Sequence, residues 1–419
     1  MYSITSPSDE ESRKPYMNRF WMKIPGRGEI AIFDRSWYHD WMTSGKESHS
    51  KDIEVFERQL TDDAYVIFKF FLHITKKEQS KRLNELEASK ATKWRVSAHD
   101  WKQNKAYAVC KEEYDFMLEK TNFEYAGWNV ISGMERDVAL KEVLETVVKR
   151  LEKLCCKVEK DGIHSIEGRG IPVSKMDFEF VRKPLIQDVS LDCTLSEKEY
   201  HKRLDKLQDK LLKLSYKLYK KKIPLIICYE GWDAAGKGGN IKRMVSCFDA
   251  RDYDVNPVAA PDSYEKARQY LWRFQKNLPK TGHIAVFDRT WYGRVMVERL
   301  EGFNTETEWK RAYNEINEFE QELMDWGAIV VKFWLQIDKD EQLARFRERE
   351  NNPAKQWKIT DEDWRNRDKW DKYEVAVNDM IKYTSTKDAP WHIIESNNKY
   401  YARIKAIETV VDAIESRLS

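Results

Sequence analysis

The sequence predicts an α/β fold with a mostly parallel sheet, laid down as two tandem copies of which the first is incomplete. Three observations carry this. Residues 19–38, RFWMKIPGRGEIAIFDRSWY, match residues 273–292, RFQKNLPKTGHIAVFDRTWY, at eleven of twenty positions with an offset of 254. Apolar β-rich runs alternate with charged, helical stretches, as in strands joined by crossover helices. A glycine-rich turn lies between one such run and the helix that follows it.

In chain order, the first copy offers apolar runs at 29–34 and 64–74. Its match to the second resumes at an offset of 263, where Phe56-Glu57 meets Phe319-Glu320, KFFLHITKKEQ meets KFWLQIDKDEQ, and Trp94, Trp101 and Trp128 meet Trp357, Trp364 and Trp391. The first copy is therefore nine residues shorter here and lacks most of the stretch from Gly293 to Asn304. Gly162, Gly168, Gly170, Pro172 and Pro184 mark a connecting segment. The expected division is 1–165 for a degenerate first repeat, 166–190 for a linker and 191–419 for the second copy.

The second copy opens with a helix over 196–222, whose stripe of Tyr200, Leu204, Leu207, Leu211, Leu214 and Leu218 faces a core and whose start, Ser196 with Glu199, forms a capping box. Its lysines resemble a nucleic-acid patch, but a packing helix with a solvated charged face explains them better. Strands follow at 223–230, 283–288 and 328–337, with a helix from Asn240 to Phe248. His283 reads as a strand-edge residue, not a proton shuttle.

Composition excludes several classes. There are 73 Lys and Arg against 71 Asp and Glu, so the net charge of +2 makes no global case for a nucleic-acid or membrane partner. Sixteen tryptophans and 13% aromatics argue for ordered cores in spite of 34% charged residues. No apolar run approaches the roughly 20 residues of a membrane span, and the start MYSITSPSDEESRKPY has no secretory core. The six cysteines form no CxxC pair and are expected as reduced thiols in a cytoplasmic protein.

The chemistry concentrates at GWDAAGKGG. Gly231, Gly236, Gly238 and Gly239, with Ala234 and Ala235 between them, let successive backbone N–H groups turn around an anion at a helix N-terminus, and Lys237 supplies a mobile cation. The residue after the lysine is Gly238, which has no hydroxyl for a metal, so another ligand is needed. Asp233 in the loop and Asp288 at the end of a strand are the expected carboxylates, with Arg289 beside the second able to span two phosphate oxygens. Arg294, Arg299, Arg345, Arg347 and Arg349 follow. On a helix Arg345 and Arg349 share a face and Arg347 points away, so that pair and Arg294 are the expected phosphate ligands. The loop has no counterpart in the first copy, since Lys237 less 254 falls before Met1.

These residues resemble the polyphosphate kinase 2 family, through GWDAAGKGG, the segment RFQKNLPKTGHIAVFDRTWYGRVMVERLEGF and the tail DAPWHIIESNNKYYARIKA, over nearly all of 190–419. The resemblance implies a thymidylate-kinase-like P-loop architecture with a helical lid, Mg²⁺, and phosphate transfer between inorganic polyphosphate and nucleotides. Carried over by position, Asp233, Lys237, Asp288 and Arg289 form the catalytic set, with Asp233 and Asp288 on the metal. The tandem arrangement and Gly293 resemble the class that phosphorylates AMP to ADP. In the first copy Asp34 and Arg35 survive in FDRSWY and Arg82 matches Arg345, but Asp40 replaces Arg294, Asn84 replaces Arg347 and Leu86 replaces Arg349. Two-domain members carry more sequence before this point, so a truncated N-terminus is an expectation, as is a first copy that packs as a silent pseudo-subunit.

The expectation is a polyphosphate:AMP phosphotransferase, with a homo-oligomer allowed and neither nucleic acid nor membrane as partner. Its rivals are a polyphosphate-dependent nucleoside-diphosphate kinase, an ATP-dependent nucleotide kinase, and a non-catalytic polyphosphate- or nucleotide-binding protein.

Overall fold

The computed structural model describes residues 1–39 and 49–419, so Asp40 lies outside the described residues. They fall into two compact units, Phe33–Gly170 and a larger one of Met1–Ile32 with Ile171–Ser419.

In the smaller unit, α1 (Ser50–Asp62) leads to β1 (Lys69–His73), α2 (Lys76–Ala88) follows, and β2 (Trp128–Ser132) pairs with β1 in parallel from Lys69 opposite Trp128 to His73 opposite Ser132. The long α3 (Arg136–Asp161) closes it and stops at Gly162, whose φ of +78° suits a residue without Cβ. Of the run at 29–34 only Phe33–Asp34 is extended as a strand.

The larger unit holds a five-stranded sheet. α4 (Glu197–Lys221) precedes β3 (Leu225–Gly231), then come α5 (Lys237–Val245), β4 (Tyr253–Pro257) and β5 (Ile284–Asp288). α6 (Glu306–Asp325), β6 (Ile329–Gln336), α7 (Lys339–Glu350), α8 (Asp361–Asp368), α9 (Trp370–Thr384), β7 (Trp391–Glu395) and α10 (Lys399–Leu418) complete it. The order is β4-β5-β3-β6-β7, and every pairing is parallel. All eight residues of β6 are buried, as expected of a strand covered on both faces. One helical layer is α4, α5 and α10; the other is α6 and α9. Tyr200, Leu211, Leu214 and Leu218 of α4 are buried and Leu204 and Leu207 half-buried, so the predicted stripe is its packing face.

The repeats and the compact units do not coincide. The first 32 residues, part of the first sequence copy, pack into the larger unit: Asn18 Nδ2 donates to Gln275 O at 2.7 Å and Oε1 at 3.0 Å, and Arg13 Nη2 donates to Thr281 O at 3.0 Å. The contact joins equivalent elements, since the short helix Asn18–Trp21 touches its own repeat, Trp272–Gln275. The expected linker is also partly structural. Ile186 is buried with its N–H on Asn378 Oδ1, and Val181 N–H donates to Ser385 O.

Candidate active site

A parallel open sheet presents ligands at the carboxyl ends of its strands, where connections diverge to either side. Here that point is β3, whose chain leaves toward β4 and β5 and whose other neighbour is β6. The glycine-rich turn leaves the end of β3, and Asp288 ends β5 opposite Tyr229.

The turn needs its glycines unequally. A Cβ on Gly231 would lie 2.7 Å from Leu335 O and 2.8 Å from Leu335 Cβ, so only glycine fits. Gly236 caps α5 at φ +104°, which starts that helix at Lys237, three residues before the expected Asn240. Gly238 and Gly239 form the first turn of α5. Ala234 sits at φ +62°, a strained position for a residue with Cβ. Lys237 Nζ folds back onto the turn, donating to Gly231 O at 2.6 Å and Trp232 O at 3.2 Å. Trp232 anchors the turn by stacking on Trp370 with ring centroids 3.7 Å apart and by donating from Nε1 to Gln336 Oε1.

The carboxylates are held differently. Asp233 Oδ2 accepts from Asn366 Nδ2 at 3.0 Å, its Oδ1 lies 3.5 Å from Arg289 Nη2, and its carbonyl accepts from Gln342. Asp288 is half-buried, and among the described residues its carboxylate makes no hydrogen bond. Burial pulls the pKa of Arg289 down, but Asp233, Glu230 and Asp288 outweigh that and raise it, so its charge is secure. The structure thus brings Asp233, Lys237, Asp288 and Arg289 to one end of the sheet.

The predicted arginines divide. Arg345 and Arg349 line one cavity of about 240 Å³ with Ala234, Ala235, Gly236 and Gly239, while Arg347 is exposed and does not line it. Arg345 is nonetheless committed to protein: its guanidinium donates to Ala234 O at 2.9 Å, Ser396 O at 2.6 Å and Asn397 O at 3.0 Å, and pairs with Glu341. It braces the turn. Arg349 makes one bond, to Lys358 O, and keeps donors for a ligand. Arg294 departs from expectation: it lies outside the lining, its Nη1 held by Glu298 at 2.8 Å and its Nη2 by Glu308 at 2.9 Å, two carboxylates of its own neighbourhood that engage a side chain only 11% exposed. Nothing lies within 4 Å of a Cβ placed on Gly293, so the backbone does not require glycine there.

Sequence reasoning missed four cations of this cavity, Lys355, Lys358, Lys399 and Arg403, which with Arg345 and Arg349 face the single acid Glu348. Burial and the adjacent Arg345 push the Lys399 pKa down, against the opposing charges of Glu348 and Glu341. Lys399 and Arg403, four apart at the start of α10, were the legible signal. Also missed was Glu230, an acid in an otherwise apolar buried strand, whose Oε1 accepts from the N–H and the hydroxyl of Thr290 at 2.7 Å each. Burial raises its pKa to about 7 against that hydrogen bonding and the charges of Lys237 and Arg289.

The arrangement is a polyanion cradle beside two carboxylates and an arginine, suited to phosphoryl transfer. Among the described residues no group of three or more His, Cys, Asp or Glu is placed to hold a metal, and two hard carboxylates fit a cation that binds one or two of them and completes its shell with phosphates and water. No helix among the described residues is long and apolar enough to cross a membrane.

Comparison with known proteins agrees. The family described as polyphosphate kinase 2 matches residues 1–158 and 194–419. A polyphosphate:AMP phosphotransferase of Pseudomonas aeruginosa is 40% identical over 99% of this chain and 84% of its own length. An ADP-polyphosphate phosphotransferase of Rhizobium meliloti is 38% identical, but over 52% of this chain and 72% of its own. A crystal structure of a polyphosphate kinase 2 from Pseudomonas aeruginosa superposes with a TM-score of 0.83 at 38% identity, covering 100% of this chain and 84% of that one.

Proposed function

The chain belongs to the polyphosphate kinase 2 family, and from that premise we propose that it transfers the terminal phosphoryl group of inorganic polyphosphate to AMP, giving ADP. One observation carries the donor: six cations and the glycine-rich turn converge on one cavity, more positive charge than a single triphosphate requires. The acceptor follows the relatives, since the AMP-directed one matches the whole chain and the ADP-directed one about half.

In the reaction an oxygen of the AMP phosphate forms a bond to the terminal phosphorus as the bond to the rest of the polyphosphate breaks, leaving the shortened chain with the electron pair. That oxygen is already ionised at neutral pH, so no strong general base is called for. The protein's work is positioning and charge neutralisation. The amides of the turn from Ala234 to Gly239 and Lys237 hold the transferring group, Lys237 exchanging its backbone carbonyls for phosphate oxygens. Arg349 and the cavity lysines bind the remaining chain, and Arg289 neutralises charge developing at the transferring group. Asp233 and Asp288 would hold Mg²⁺, Gly238 having no hydroxyl to offer. The ion would supply charge neutralisation between donor and acceptor phosphates. A cytoplasmic location, where AMP and polyphosphate are available, belongs to the same proposal.

A donor and acceptor matrix tests it: polyphosphate or ATP against AMP, ADP, GMP and thymidine monophosphate, with Mg²⁺ or with chelator, read by product chromatography. ADP from polyphosphate and AMP, absent with chelator, is the expected result. Turnover with ATP alone as donor would defeat it.

A further inference from the structure

Two buried carboxylates from different elements hold the turn that carries Asp288 and Arg289. On one side Trp291 Nε1 and Tyr292 Oη donate to Glu320 Oε1 at 3.0 and 2.6 Å, and Lys332 Nζ lies 2.7 Å from Glu320 Oε2. On the other, Thr290 gives its N–H and its hydroxyl to Glu230. The first copy repeats the former, with Trp37 and Tyr38 donating to Glu57 and Lys69 Nζ 2.9 Å from it. The Glu230 clamp joins the end of β3, where the phosphate-binding turn begins, to the turn that follows β5.

We propose that Glu230 is a positioning residue for phosphoryl transfer: by holding Thr290 it fixes Asp288 and Arg289 against the strand that launches the phosphate-binding turn. Arg289 stands at φ +66° and its repeat counterpart Arg35 at φ +61°, so this backbone conformation belongs to the FDRxWY turn itself, and what Glu230 adds is a tie to β3. The N–H of Arg289 is anchored on Tyr229 O at 3.0 Å, and the next residue is anchored on Glu230, so successive residues of the turn are tied to successive residues of β3. The side chains that act on the transferring phosphate, Lys237 after β3 and Arg289 after β5, come from different strands. The Glu230–Thr290 contact ties one to the other from within the sheet, beside the pair that the exposed Arg289 makes with Asp233.

The inference rests on the polyphosphate:AMP reading, and its test keeps the two apart. ADP formation would be measured on the full chain and on Glu230→Gln, Glu230→Ala, Thr290→Val and the Glu230→Ala/Thr290→Val double variant. Each assay would be run well below that variant's melting temperature. If Glu230 positions the turn, Glu230→Ala lowers kcat about a hundredfold while KM for AMP stays within about threefold. The double variant is then about as slow as Glu230→Ala, because that change already removes both hydrogen bonds from Thr290, of which Thr290→Val removes only the hydroxyl's. Glu230→Gln, which keeps an acceptor oxygen for Thr290, recovers most of the rate. Losses that multiply in the double variant, or a kcat for Glu230→Ala near that of the wild type, overturn the proposal. Should Glu230→Ala not fold, Thr290→Val preserves volume and decides through the same split of kcat from KM. An inactive wild type overturns the phosphotransferase reading itself; an active wild type with unaffected variants overturns only the positioning role.

Discussion

Lys332 Nζ lies 2.7 Å from Glu320 Oε2 in a pocket closed to water, and Lys69 repeats the contact with Glu57 at 2.9 Å in the other sequence copy. Each ammonium also donates to a tyrosine hydroxyl, Tyr292 or Tyr38, and to a carbonyl, Thr384 or Thr121, so all three of its protons are used. Burial pulls both lysine pKa values down against the opposing charge of the paired carboxylate. Repeated in both copies, the cluster ties a strand, a helix and the FDRxWY turn together.

Breaking that pair from one side should therefore be costly. Lys332→Met leaves Glu320 buried without its cation and should destabilise the larger unit by about 3–5 kcal/mol, and replacing both partners with apolar residues should cost less. Urea denaturation of the single and double variants decides it; a double variant worse than the sum of its singles would refute it.

Glu230 should make stability depend on pH. Its folded pKa of about 7 stands above the ordinary 4.5, so the folded state keeps a proton that the unfolded chain has released. The stabilisation is full below about pH 4.5 and is lost as pH rises through 7, amounting to roughly 3 kcal/mol at most. Comparing wild type with Glu230→Gln in urea at pH 5 and pH 7.5 should show the wild type losing more stability over that interval.

Lys237→Ala should lower kcat by roughly 10²–10³ while leaving the melting temperature nearly unchanged, since the turn is built from backbone and Lys237 braces it by two hydrogen bonds alone. Near-normal turnover would remove the turn from the mechanism.

Arg345 and Arg349 should separate by phenotype. Arg345→Met deprives two buried carbonyls and the half-buried carbonyl of Asn397 of a charged donor and should cost about 2–3 kcal/mol of stability in thermal or urea melts. Arg349→Ala should leave stability alone, raise KM for polyphosphate severalfold and weaken the salt dependence of that KM.

Asp288→Asn should reduce ADP formation by about 10²-fold or more, and Asp34→Asn should leave it intact, because the first copy has Leu86 where the second has Arg349 of the cavity. Loss of activity in Asp34→Asn at unchanged melting temperature would show that the first copy takes part.

The sequence by itself determined whatever depends on short-range pattern. The two copies, the strands read at 223–230, 283–288 and 328–337 and found at 225–231, 284–288 and 329–336, the glycine-rich turn between β3 and α5, and the shared face of Arg345 and Arg349 all follow from period and backbone conformation over a few residues. Tertiary structure decided which neighbour each side chain meets. Helical period put Arg345 on the right face, but only folding brought the carbonyls of Ala234, Ser396 and Asn397 within its reach and turned a phosphate ligand into a brace. The same holds for Arg294 between Glu298 and Glu308, for Lys355 and Lys399 meeting at one cavity, and for Asn18, which left its own sequence copy to bond Gln275. Periodicity fixes a side chain's direction relative to its own element; a charged group's role is set by the partners that desolvate it, and those lie tens to hundreds of residues away.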